Sequence, residues 1–171
     1  MPVLSYSNFF QAAERKLSDN RSACGNHAVL TVNLGRLAEL DGILGYAAVD
    51  QIIQTISKQL ADALNPGDLI GITGRHQVSC LLVNLLANAH ALLAAHKITR
   101  ILTVPFTLGA HNILLNPCIG IAYGSEKNRT IDLMMRNASL AIQQALQEKE
   151  QIKLFVENPE DAYLTQLHLW S

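Results

Sequence analysis

Apolar and polar residues alternate between a helical and a strand-like period along this chain, and the points where the period changes divide it into elements. Tyr6 to Leu17 carries apolar groups at Phe9, Phe10, Ala13 and Leu17, a helical stripe that the polar cluster Ser18-Asp19-Asn20 ends. His27 to Leu34 is a short apolar run of strand length and predicts a buried strand. Helical material begins at Arg36, pauses near Gly42 and Gly45, and resumes from Ala47 to Leu64 with Ile52, Ile53, Ile56, Leu60 and Leu64 on one face. The turn Asn65-Pro66-Gly67 then delivers two β-type runs, Asp68–Thr73 and Ser79–Val83, joined through Gly74-Arg75-His76-Gln77-Val78. Glycine and polar residues between two such runs predict a hairpin whose tip is a solvated polar turn. Leu85 to Leu102 is a second amphipathic helix, and Val104–Leu108 with Ile113–Tyr123 predicts a strand pair around Gly109. Ile131–Leu146 is a third long helix, and Ile152–Val156 reads as the closing strand.

This order predicts an α/β (α+β) fold with a central mixed, mostly antiparallel five-stranded sheet flanked by helices. The expected strands lie near 28–34, 68–73, 78–83, 113–123 and 152–156, and the helices near 47–64, 86–101 and 131–147. Three segments follow: a lead-in helix in 1–27, the main domain in 28–157, and a connector helix in 158–171. In the last, Tyr163, Leu164 and Leu167 repeat at helical spacing up to the end of the sequence, so 161–171 is expected to meet a following domain, a second copy or another partner.

Composition narrows the function classes. At 171 residues and 49% hydrophobic, the chain has enough apolar material for one core. A formal charge of −1, with acids and bases interspersed, gives no field to draw it onto nucleic acid or an anionic membrane. No apolar stretch is long enough to span a bilayer. Cys24, Cys80 and Cys118 are odd in number and lack paired spacing, which fits free thiols in a reducing cytoplasm. His76 and Cys80, four residues apart in a strand, stand about 13 Å from each other and do not make a metal pair.

Several stretches together carry a resemblance: Val29-Leu30-Thr31-Val32-Asn33-Leu34, the run Leu37, Asp41, Gly45, Ala47-Ala48 and Asp50, the turn Pro66-Gly67-Asp68, the hairpin tip, Cys118-Ile119-Gly120-Ile121-Ala122, and the spacing from Ala138 to Phe155. In this order and spacing the chain resembles the GGDEF domain of bacterial diguanylate cyclases, of the nucleotidyl cyclase-like fold. The resemblance implies that Asn33 stands where the family has a metal-binding aspartate, and that His76 and Gln77 stand where it has the acidic pair of its signature. It further implies that Arg75 replaces a glycine that lets backbone approach the substrate. Leu40 stands for an asparagine that reads guanine, with Asp50 retained beside it. Leu146 and Lys149-Glu150-Gln151 stand where the family holds phosphate with a lysine and a glycine-arginine-asparagine run. At the family's inhibitory product site, Asn65 replaces the arginine and Asp68 is kept, so that site is incomplete.

Such phosphoryl chemistry depends on Mg²⁺, a hard cation held by carboxylates and substrate phosphates. The resemblance therefore implies a degenerate domain with no intact catalytic residues at Asn33, Arg75, His76 and Gln77, no bound metal of the cyclase kind and no other cofactor. The expected role is a regulatory or assembly domain of a cytoplasmic, bacterial cyclic di-GMP signalling protein, fused to an EAL phosphodiesterase domain. The alternative is a GTP-binding sensor without turnover that holds nucleotide through Asp50 and Lys149.

Overall fold

The computed structural model describes residues 2–19, 26–124 and 130–156. The connector expected in 158–171 lies outside the described residues. Twelve elements follow in order: α1 (Tyr6–Asp19), β1 (Asn26–Asn33), α2 (Arg36–Leu44), α3 (Tyr46–Ala63), β2 (Leu69–Gly74), β3 (Gln77–Leu85), α4 (Ala89–Thr103), β4 (Phe106–Leu108), β5 (His111–Ile113), β6 (Cys118–Tyr123), α5 (Ile131–Glu148) and β7 (Ile152–Leu154).

The main sheet has five strands in the order β2-β3-β1-β6-β7. All neighbours are antiparallel except β6 and β7, which run parallel. Side chains of β1 alternate between faces, as a strand buried on both sides requires. Ala28, Leu30 and Val32 join the α3 and α4 side with Ile52, Ile56, Leu60, Ile98 and Leu102. Val29 points the other way, into a second cluster with Phe9, Leu17, Met134 and Ala138 from α1 and α5. Two glycines permit the close approach of that second layer. A Cβ on Gly120 of β6 would lie 2.2 Å from the Ala138 carbonyl oxygen of α5, and one on Gly71 of β2 would lie 2.7 Å from Phe9 of α1. The lead-in helix thus packs as part of this layer.

The expected strand over 113–123 is corrected. Its first residue ends a separate two-stranded hairpin, β4–β5, and the main sheet takes only Cys118–Tyr123. Pro117 stands at the interruption; it has no N–H to donate to a ladder, which disfavours one continuous strand there. The helix expected from 86 starts at Ala89, after a turn through Asn88. The pause expected near Gly45 is a true break: Gly45 sits at φ 90°, ψ 157°, ending α2 and starting α3. Among the described residues no helix is long and apolar enough to cross a membrane.

Candidate functional site

One end of the sheet gathers the substituted positions. Asn33 closes β1, directly opposite Gln77 at the start of β3 and Cys118 at the start of β6. The β2–β3 turn is only Arg75-His76, because Gly74 pairs with Gln77 across a register shift after Ile72. Neither turn residue has positive φ, so the backbone admits an arginine at the position the resemblance assigns to glycine. The His76 carbonyl accepts the Leu34 N–H at 2.7 Å, which ties the tip to the end of β1.

The tip is a solvent-accessible polar hairpin turn, as expected, with Gly74 and Arg75 exposed, but its two turn residues are paired to acidic side chains. The Arg75 guanidinium donates to Asp50 and, through its other terminal nitrogen, to Asp41 Oδ1 at 2.8 Å. His76 Nε2 lies 2.6 Å from Asp41 Oδ2. The carbon at the centre of the guanidinium stands 4.8 Å from the centre of the Tyr46 ring, within cation–π range. A planar fork bridging two carboxylates is the arrangement arginine makes best. The Asp41 side chain is 12% exposed and that of Asp50 is 60% exposed, so the two anchors differ in solvation. Burial pushes the Asp41 carboxyl up, yet hydrogen bonds and charge from His76 and Arg75 outweigh it and leave it below the ordinary aspartate value. Burial works against the Arg75 cation, and the two aspartates more than compensate, raising it.

Gln77 serves a different network. Its Nε2 donates to Thr73 Oγ1 at 3.0 Å, Thr73 and Ser79 hydroxyls meet at 2.7 Å, and Ser79 and Thr31 hydroxyls at 3.1 Å. This ladder crosses β2, β3 and β1 under α5, and Thr73, Ser79 and Thr31 are buried. Where the resemblance places a metal-binding carboxylate, the chain has an amide that completes a chain of buried hydroxyls.

The remaining candidates are dispersed. Leu40 is half-buried on α2 and packs against the α3–α4 side of the core, and Asp50 sits exposed on α3 within the Arg75 pair. Lys149 ends α5 over the other face in the left-handed conformation at φ 58°, its N–H donating to the Ala145 carbonyl. Leu146 is exposed, and Glu150 lies 3.7 Å from Lys153. Asn65 and Asp68 remain together at the opposite end of β2, but both Asp68 oxygens accept backbone N–H groups, from Val83 and Asn65, each at 3.0 Å. Burial pushes the Asp68 carboxyl up, with those two bonds and the Lys16 charge opposing.

The donor set at the sheet end does not fit a cyclase magnesium. It offers amides at Asn33 and Gln77 and an imidazole at His76, and its nearby carboxylates Asp41 and Asp50 are engaged by Arg75. Among the described residues there is no group of three or more His, Cys, Asp or Glu side chains placed to hold a metal ion. Sequence reasoning missed Tyr46 and the pairing of Asp41. The available signal was two aspartates flanking the Gly45 break, facing a tip that carries two basic residues.

The family model for the diguanylate cyclase GGDEF domain matches residues 4–151. The diguanylate cyclase TpbB of Pseudomonas aeruginosa is 28% identical over 136 residues, 78% of this chain and 31% of its own length. The chain spans between 17% and 31% of the curated relatives it matches. The crystal structure of the TpbB GGDEF domain superposes with a TM-score of 0.84 at 25% identity, covering 91% of this chain and 98% of that one. An EAL/GGDEF domain protein from M. capsulatus shares the fold, with a TM-score of 0.74 at 22% identity over 83% of this chain and 92% of that chain. With its five-stranded sheet, its hairpin tip and a match over most of its length, the chain belongs to the diguanylate cyclase GGDEF domain family.

Proposed function

We propose that this GGDEF domain has lost diguanylate cyclase turnover and serves as a regulatory or assembly unit of a cyclic di-GMP signalling protein. The observation that carries this reading is the pair Asn33 and Gln77, cross-strand neighbours at the sheet end, both neutral, with Gln77 committed to the Thr73 hydroxyl. Phosphoryl transfer places negative charge on the transferring group, and a cation held by carboxylates offsets it. Neutral amides supply no such cage. Losing a single electrostatic donor elsewhere costs about 10²–10³ in rate, so loss of the whole set takes turnover below detection.

The sensor reading, in which Asp50 and Lys149 hold GTP, draws less support. Asp50 is already paired with Arg75, and Lys149 follows α5 over the opposite face of the sheet from α3. The proposed setting is a larger protein with an EAL domain beside this one. It is supported by the small share of the relatives that the chain spans and by the name of the M. capsulatus neighbour. A part played by 161–171 in reaching that domain or a second copy belongs to the same proposal.

The test is incubation of the purified domain with GTP and either Mg²⁺ or Mn²⁺, followed by chromatography for cyclic di-GMP. The expected result is no product above a no-enzyme control. Product that scales with protein concentration overturns the proposal.

A further inference from the structure

The Arg75 contacts have the form of a bound ligand. One guanidinium meets two carboxylates from two different helices, Asp41 on α2 and Asp50 on α3, and lies against the Tyr46 ring at the start of α3. The group is supplied by a two-residue turn and is 39% exposed. It therefore joins surface elements and does not fill the core. Asp41 also takes His76, so the whole tip is drawn toward the break between α2 and α3. Beside the guanidinium lies a shallow cleft lined by Tyr6, Asp50, Ile53, Gln54 and Thr73, with Arg75 as one of its walls.

We propose that Arg75 acts as an internal ligand: it occupies a guanidinium receptor made of Asp41, Asp50 and Tyr46 and holds the hairpin tip closed against α2 and α3. The contact is autoinhibitory in a physical sense. While it is made, both carboxylates are engaged and the cleft keeps its wall. When it is broken, Asp50 loses its cation and Asp41 keeps only His76, so two carboxylates beside an aromatic face can take another donor. That arrangement selects planar ligands with two N–H donors and a delocalised positive charge over compact ammonium ions, because a planar fork can give one nitrogen to each carboxylate while lying over the ring. Exposed ion pairs hold weakly and are screened by salt, so the closed state is one a competing ligand can displace. The proposal does not rest on loss of turnover: hydrogen exchange reads the contact, whereas product formation from GTP reads catalysis.

Hydrogen–deuterium exchange on wild type, Arg75→Ala and Asp50→Asn tests it. Arg75 and Asp50 are exposed, so neither change disturbs the core, and a cooperative urea transition with an unchanged slope serves as the check on folding. Exchange in peptides covering Asp41–Asp50 and Gly74–Gln77 is expected to rise about fivefold in both variants, the scale of one exposed charged contact. Methylguanidinium at about 0.1–0.3 M is expected to return the Asp41–Asp50 peptides of Arg75→Ala toward the wild-type rate, while methylammonium and sodium chloride at the same ionic strength do not. Unchanged exchange in Arg75→Ala, or a return that fails with methylguanidinium or occurs equally with the control salts, overturns the proposal.

Discussion

Asp68 and Asp50 stand near opposite ends of β2, and the chain uses them in contrary ways. Asp68 is 6% exposed, and both of its oxygens accept backbone N–H groups, from Val83 and Asn65. Asp50 is exposed and faces a side chain, the Arg75 guanidinium. A backbone donor stays where the fold puts it, so the Asp68 contacts last as long as β3 and the turn before β2 last. A side-chain donor can leave by rotation without unfolding anything. Retaining an acidic residue in family register therefore says little by itself. One of these carboxylates has become part of the scaffold, while the other belongs to a contact that can open and close.

Removing each carboxylate breaks the comparison most directly. Asp68→Ala strands the buried Val83 amide and leaves the Asn65 amide, on an exposed turn residue, to water, and is expected to cost about 1–3 kcal/mol. Urea unfolding followed by circular dichroism measures this as a fall in midpoint with an unchanged slope. The same experiment on Asp50→Asn is expected to lower the midpoint only slightly, by the small worth of an exposed ion pair. A loss in Asp50→Asn as large as that in Asp68→Ala would show that the tip is as structural as the turn.

A smaller effect separates the two ends by pH. Asp41 shares the Arg75 contact and is held below the ordinary aspartate value, so it stabilises the folded tip above about pH 4 and loses that contribution as pH falls through its lowered value. Asp68 is raised, so its sign is opposite: the folded state takes up a proton there more readily than the unfolded chain, and this favours folding as pH falls through its raised value. The groups facing Asp41 are Arg75 and His76, with Asp50 and Tyr46 around the same guanidinium. Exchange measured between neutral and acidic pH, corrected for the intrinsic rate, is expected to show protection at Gly74–Gln77 falling on acidification before protection in β3 near Val83 does. Simultaneous loss at both places would mean that the tip opens only by global unfolding.

The sequence shows why these two ends were unequally legible. Apolar periodicity made the five main strands and the helices readable because each depends on local spacing and on which face is buried. The family register made Asn33, His76, Gln77 and Asp68 nameable as substituted or retained positions. The Arg75 contacts were not readable, since Asp50 and Asp41 lie 25 and 34 residues away and no periodic signal links a turn to two helix surfaces. The hydroxyl ladder was hidden for a related reason. Thr31 and Ser79 are 48 residues apart, and each sits inside an otherwise apolar strand where a small polar residue carries no mark of its partner. The split of 113–123 was missed although Pro117 stands inside it, because apolar residues on both sides sustained the strand pattern.

The smallest expected effect concerns how far the Asp68 charge reaches into the scaffold. Cys80 pairs with Ile70 in the middle of the β2–β3 ladder and is fully buried. Burial, with the negative charge of Asp68 adding to it, pushes its thiol up to about 12. The thiolate is the reactive form, so at pH 8 only about one Cys80 in ten thousand is available to an alkylating reagent even before access is considered. Iodoacetamide labelling mapped by mass spectrometry is expected to leave Cys80 unmodified in the folded protein and to modify it fully in urea. Because burial is the larger cause, Asp68→Asn is expected to change the folded-state labelling less than twofold, provided the protein remains folded. Fast labelling of Cys80 in folded Asp68→Asn would mean that the carboxylate holds the core closed around the thiol, and its role as scaffold would then extend from the turn into the centre of the sheet.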